Sequence, residues 1–269
     1  MNYTEKVVTQ DSLKHDVLCY WQMNGNVDKL AGVNSRYLPK GQNLLVFNFG
    51  DEIGNLNDSN ISYSNQLFSV VPAIATSRII NQKGEIDLFG ISFIGDGLFK
   101  LIQLPTSELI RYFPDVLRDK YEGLHEELKN RNFHEKIKLV EKFLTGNLNQ
   151  GLNSPPFQKA LKIINETNGI ATVSDIANMA NVSERQLQRL FKTRIGISPK
   201  DYCKIIRVNN YLDLILTKKK PIDWMELVVE YDYHDQPHLI TEVKSIAKLS
   251  PKKLHSYRDT LYHRYIKSK

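Results

Sequence analysis

The sequence predicts an α+β chain: a β-rich sandwich or barrel and a helical stretch, followed by an all-α unit with two helix-turn-helix motifs. Three observations predict it. Short apolar runs punctuated by Gly, Asn, Asp and Ser occupy residues 16–100. Apolar stripes at helical spacing take over from about residue 104. One pattern is then written twice near the C-terminus, about 52 residues apart.

In the first region, Asn43-Leu-Leu-Val-Phe-Asn-Phe49 is a strand-like run ended by Gly50-Asp51. Leu67-Phe-Ser-Val-Val71 and Ile86-Asp-Leu-Phe-Gly-Ile-Ser-Phe93 follow. Several short strands with such turns favour a sandwich or barrel. Next, Leu109, Tyr112, Phe113, Val116 and Leu117 form one apolar stripe, which Pro114 divides, and Ile137, Val140, Phe143 and Leu144 form another. These helices either cover the barrel or, as helices before such a joint often do in related proteins, build a homodimer interface. A dense cluster of turn formers, Gly146 to Pro156, then marks the best domain boundary. The expected division is therefore 1–103, 104–152 and 153–269.

The repeated pattern comes next. Its first copy runs from Ser174 to Phe191 and reaches Gly196-Ile-Ser-Pro199; its second runs from Glu226 to Val243 and reaches Lys248-Leu-Ser-Pro251. Each copy reads as a short helix, a tight turn, a second helix and a Ser-Pro stop. Ser183 with Gln186 is a capping-box signature. Leu187, Leu190, Phe191 and Ile195 give the second helix a buried stripe, which leaves Arg185, Gln188, Arg189 and Lys192 on the other side. Arg and Gln pair bidentately with guanine and adenine edges, so this face suits the major groove of duplex DNA.

On these residues, 157–262 resemble the DNA-binding domain of AraC/XylS-type transcriptional regulators. The resemblance rests on Phe191, Gly196-Ile-Ser-Pro-Lys-Asp-Tyr202, Arg207, Tyr233-His-Asp-Gln-Pro-His-Leu239 and the final Leu-Ser-Pro251. It implies a helical unit whose two recognition helices enter successive major-groove segments of promoter DNA. The family's base-reading positions fall on Arg185, Gln188 and Arg189 in the first motif, and on Gln236, Pro237 and Thr241 in the second. Lys192, Lys204, Arg207 and Lys244 are the candidates for phosphate contacts; for Arg207, an intramolecular carboxylate is the competing partner.

The second motif departs from the family pattern. Asp232 stands where Gly is usual in the turn, Val243 replaces a core Phe, and Lys248 replaces the Gly before Leu-Ser-Pro. Pro237 suits the first turn of a helix begun at Asp235, yet it donates no hydrogen bond. The second helix is therefore expected to anchor more than it reads. The β-rich half resembles the cupin-like sensor half of some AraC-type regulators, including Leu38-Pro-Lys-Gly41 before the strand.

Charge supports the assignment. The chain carries a net +6, and residues 153–269 hold 20 Lys and Arg against 12 Asp and Glu, so the basic excess sits with the repeated motif. Cys19 and Cys203 have no CxxC neighbour, which argues against a disulfide framework or zinc knuckle. No run approaches the roughly 18 apolar residues of a membrane span. A cytoplasmic protein with no membrane partner is expected.

The residues disfavour an enzyme. A metal-binding cupin needs several histidines, whereas residues 1–103 contain only His15, ahead of the first expected strands. His234 and His238 share helical i,i+4 spacing, but Pro237 between them favours a surface or packing role. There is no GxSxG elbow, phosphate loop or HExxH motif, and no cofactor is expected. Tyr20, Trp21, Phe47, Phe49 and Phe93 either line a barrel interior that binds a small-molecule effector or simply pack a core. The competing reading is a non-enzymatic protein-binding module that sequesters a regulator or contacts RNA polymerase.

Overall fold

A computed structural model of the chain describes residues 1–51, 54–55, 67–109, 114–217 and 224–256. The N-terminal part holds β1 (Asn2–Val7), β2 (Val17–Val27), β3 (Val33–Tyr37), β4 (Asn43–Asn48), β5 (Gly54–Asn55), β6 (Phe68–Val71), β7 (Arg78–Gln82) and β8 (Gly84–Phe93). They form a five-stranded sheet in the order β1-β2-β8-β4-β6 and a three-stranded sheet in the order β3-β7-β5, with antiparallel pairing throughout. The three expected strands appear as β4, β6 and β8. Strand β1 lies ahead of the region read as β-rich. Its mostly exposed, partly charged sequence gives little apolar alternation, as suits the edge of a sheet.

The two faces of the large sheet have different covers. Cys19, Trp21 and Met23 of β2 with Ile86 and Leu88 of β8 face Tyr37 and Ile80 of the small sheet. The opposite face presents Tyr20, Leu45, Phe47, Phe68, Phe89, Ile91 and Phe93 to a layer of helices. Those helices are α1 (Gly97–Ile102), α2 (Asp115–Leu128) and α3 (Phe133–Asn147). Tyr121, Leu124 and Leu128 of α2 and Ile137, Val140 and Leu144 of α3 complete this core. Covering the sheet is therefore an observed role of α2 and α3. Pro114 precedes α2 and Asn132 caps α3 with a complete capping box. Tyr112 and Phe113 of the expected stripe lie outside the described residues, as does the side chain of Val116.

Of the two readings of the aromatic cluster, core packing is the one observed. Tyr20 and Trp21 are neighbours on one strand and must point to opposite faces. Trp21 lies between the sheets and stacks on Tyr3 at 6.3 Å, while Phe47 and Phe93 are fully buried beneath the helices. Phe49 stacks on His125 at 4.6 Å and receives the Lys136 ammonium at 3.9 Å. These rings serve two cores and line no common chamber.

After Asn147 the chain passes through a 3-10 turn (Gln150–Leu152) into the C-terminal helices. These are α4 (Pro155–Glu166), α5 (Val173–Met179), α6 (Glu184–Arg194), α7 (Pro199–Thr217), α8 (Trp224–Glu230), α9 (Gln236–Ala247) and α10 (Pro251–Ser256). Phe157, Phe191, Tyr202, Tyr211, Leu239 and Val243 anchor a core that runs through both motifs. Leu38 and Ala73, from the N-terminal part, belong to the same cluster. Gly41 explains how closely the two parts meet: with φ +71°, it sits where a Cβ would come within 2.8 Å of the Tyr202 ring. Among the described residues no helix is long and apolar enough to cross a membrane.

Candidate nucleic-acid interface

Each motif is built by the same local chemistry. In the first, the Thr172 hydroxyl accepts the Asp175 N–H and starts α5. The helix ends at Asn181, whose φ of +56° turns the chain, and Val182 N–H bonds back to Ala177 O. Ser183 then accepts the Gln186 N–H at 3.2 Å, which is one arm of the expected capping box. In the second motif, α8 ends at Asp232 with φ +53°, and Tyr233 N–H bonds back to Val228 O. Asp235 accepts the His238 N–H at 2.7 Å and starts α9. Asp232 thus holds the left-handed conformation its position required, as Asn181 does in the first copy.

The two turns differ by one residue. Equivalent positions are 51 apart through the first helix and turn (Asn181 and Asp232) and 52 apart from the second cap onward (Ser183 and Asp235). His234 is the added residue. Its exposed ring lies 3.2 Å from the Asp235 carboxylate. The hydrogen bonds from His238 N–H and His234 hold the Asp235 carboxyl below the usual carboxylate range. His238 packs edge-on against Tyr233 at 5.4 Å. Among the described residues no group of three or more His, Cys, Asp or Glu is placed to hold a metal ion.

The outward faces follow from these frames. Leu187 and Phe191 point inward, so Arg185, Gln188 and Arg189 are all exposed on the opposite side of α6. A recess of about 530 Å³ beside the cap is lined by Ser183, Arg185, Gln186 and Arg189. On α9, Leu239, Val243 and Ile246 are buried, which leaves Pro237, Thr241 and Lys244 exposed and Gln236 half-buried. The candidate base-reading side chains therefore gather on one face of each second helix. Lys192 is exposed, with its ammonium 3.2 Å from Gly196 O, and Lys204 is half-buried.

Of the two partners open to Arg207, phosphate and an intramolecular carboxylate, the structure shows the carboxylate. The guanidinium makes two parallel hydrogen bonds to Glu242, Nε to Oε1 at 2.8 Å and Nη2 to Oε2 at 2.7 Å. Tyr233 also donates to Glu242 at 2.8 Å, and its ring lies under the guanidinium at 5.0 Å. Burial acts against the charge on Arg207, but the Glu242 bonds outweigh it and raise its pKa. The bond joins α7 to α9, so this arginine fixes the second helix of that motif from within.

A buried polar junction beside the first motif carried no local sequence signal. Arg194, near the end of α6, donates to the Asp96 carboxylate and to Leu152 O at 2.9 Å, and lies over the Phe99 ring at 4.9 Å. Asp96 also meets Lys100 at 3.3 Å, and Lys100 meets Asp16 at 2.7 Å, all nearly fully buried. Two acids and two bases thus balance where α1 meets the first motif. The Gly95-Asp-Gly97 turn serves this junction.

Comparison with known proteins agrees with this geometry. Residues 176–256 match a helix-turn-helix domain family, and residues 5–113 match a domain family of unknown function, DUF6597. None of the curated proteins matches the chain. Among solved structures, an AraC-type DNA-binding domain-containing regulator from Chromobacterium violaceum is 25% identical. That match covers 39% of this chain and 92% of the other, with a TM-score of 0.34. ToxT from Vibrio cholerae is 10% identical over 88% of this chain and 98% of its own, with a TM-score of 0.47. A structure of unsaturated fatty acid bound ToxT is 9% identical over 94% of this chain and 93% of its own, with a TM-score of 0.37. Two capped helix-turn-helix units on one connecting helix define a DNA-binding transcriptional regulator. The double motif and the matched domain show an AraC-type helix-turn-helix domain at the C-terminus of the chain.

Proposed function

We propose that the chain recognises a specific promoter sequence by laying α6 and α9 into successive major-groove segments, and that its N-terminal domain modulates this binding. The carrying observation is the repeated frame: two capped helices, each with a buried stripe inward and a polar face outward. Arg185, Gln188 and Arg189 would read bases in one segment, and Gln236 and Thr241 in the next. Lys192, Lys204 and Lys244 would meet phosphates, while Arg207 would hold α9 in place. Two helices reading one face of B-DNA lie about 34 Å apart, one helical turn. The reading is non-enzymatic and needs no cofactor.

RNA polymerase and a second copy of the chain remain proposed partners. The groove between α2 and α3 carries Asp119 and Glu127 alongside Lys120 and Lys142, a mixed-charge face that suits self-association. A small-molecule effector is proposed without an assigned chamber, because the aromatic rings first considered for it are packed. The competing protein-binding reading draws on α9, where Pro237 occupies a base-reading position.

The test is selection of bound duplexes from a random pool with the full-length chain. Two enriched blocks about one turn apart, with affinity falling steeply as salt rises, is the expected result. No enrichment by the folded protein would overturn the DNA reading and leave the protein-binding one.

A further inference from the structure

Each recognition helix ends on one hydroxyl residue of the N-terminal domain. At α6, Thr106 N–H donates to Thr193 O at 2.7 Å, and Thr106 Oγ1 donates to Arg194 O at 2.9 Å. At α9, Ser77 N–H donates to Ile246 O at 2.7 Å, and Ser77 Oγ donates to Ala247 O at 2.7 Å. In both cases one residue uses its two donors on the last two carbonyls of the helix. Helix ends leave such carbonyls without intrahelical partners, so each needs an outside donor. Here that donor comes from the other domain.

Both sites are reinforced. Arg36 donates to Ser77 Oγ at 3.0 Å and reaches Ala247 O at 3.5 Å. Near Thr106, the Arg194 side chain is held by Asp96 and Leu152 O. Within the C-terminal domain, α6 and α9 each pack on α7. The N-terminal domain is the second body that both helices touch, and it touches each at its end.

We propose that Thr106 and Ser77 are positioning residues for DNA recognition, through which the N-terminal domain fixes the relation of α6 to α9 and so the half-site spacing the chain accepts. This rests on the reading of α6 and α9 as paired recognition helices. The separation between two rigid helices decides which spacing can be gripped, because each must enter its groove segment at the same time. Any event that shifts the loops carrying Ser77 and Thr106 then changes spacing preference without touching a base-reading side chain.

The experiment uses the full chain with spin labels on Gln186→Cys and Ser245→Cys. The native Cys19 and Cys203 are buried, and burial raises their thiols to about 12 and about 11, so they stay unlabelled. The parent should give one narrow interhelix distance, which broadens in Thr106→Val, in Ser77→Ala and most in the pair. Thr106→Ser and Ser77→Thr keep the hydroxyl and should restore it. The single variants each leave one clamp intact, which guards against loss of the fold.

In parallel, duplexes carrying the selected blocks at altered spacing are titrated. Discrimination between spacings should fall about two- to tenfold per hydroxyl removed, with base preference inside each block unchanged. An unchanged distance distribution, or a uniform affinity loss at every spacing, overturns the inference. If the parent selects no duplex, the DNA reading fails instead, and the distance measurement still decides whether the clamp exists.

Discussion

The first and second helix-turn-helix motifs share a frame and differ in what they show the outside. Both turn at a residue with positive φ, both cap the second helix with a side-chain oxygen, and both end on a hydroxyl of the N-terminal domain. Their outer faces diverge: Arg185, Gln188 and Arg189 on α6, against Gln236, Pro237 and Thr241 on α9. Their interiors diverge too. The first motif packs Phe191 edge-on against Phe157 and Tyr202 at 5.2 and 5.5 Å, whereas the second has Val243 and a buried Arg207–Glu242–Tyr233 tie. Backbone geometry constrains the frame, and the partner alone constrains the face. The two motifs therefore share a shape while presenting different outer faces.

The largest effect should come from the ionic tie in the second motif. Glu242→Ala leaves the Arg207 guanidinium without its carboxylate in a mostly buried site, a loss of about 3–5 kcal/mol. Denaturant unfolding measures it, and a loss below about 1 kcal/mol would show that α9 does not depend on the tie. Next, Arg189→Ala should cost roughly 1–3 kcal/mol at one base pair if it reads a guanine, while Thr241→Ala should cost less. Equal losses for the two, measured over a mutated-site series, would erase the division between reading and anchoring.

The caps separate the motifs by pH. Ser183→Ala should cost about 1 kcal/mol of stability at any pH. The Asp235 carboxyl is lowered by the His238 N–H, so its cap is fully present above the unfolded value near 4. That contribution is lost as pH falls through the lower folded value. Acid should thus loosen α9 before α6, and Asp235→Asn should remove the difference; site-resolved amide exchange at pH 3 and 5 reads it. The smallest effect is a gain. Lys248 holds φ +55° where Gly196 holds +99°, so Lys248→Gly should raise stability by up to about 1 kcal/mol. A decrease in the melting temperature would mean the lysine side chain contributes more than its strained backbone costs.

Much of the site was legible because its causes are local. Apolar spacing on α6 and α9 sets which residues turn outward, and the Ser183 and Asp235 caps depend on amides three residues on. The Asp232 turn was legible from the intolerance of most residues for positive φ. The separation of Tyr20 from Trp21 was legible on the same grounds, because strand alternation alone sends them to opposite faces. Arg207 was open in the sequence, with phosphate and carboxylate both able to claim a guanidinium. The placement of Glu242 settled its internal partner.

The sequence by itself determined the two motifs, their caps, the face each second helix presents and three strands of the larger sheet, β4, β6 and β8, since short-range sterics and periodic burial act within a few residues. Only the tertiary structure decided which cover each sheet face received, where Arg194 and Arg207 found their carboxylates, and what closed the ends of α6 and α9. Those partners lie far apart along the chain: Thr106 meets Arg194 across 88 residues and Ser77 meets Ala247 across 170. A single hydroxyl carries no periodic signal of its target, and docking the two domains is what brings it within hydrogen-bond reach of a helix end.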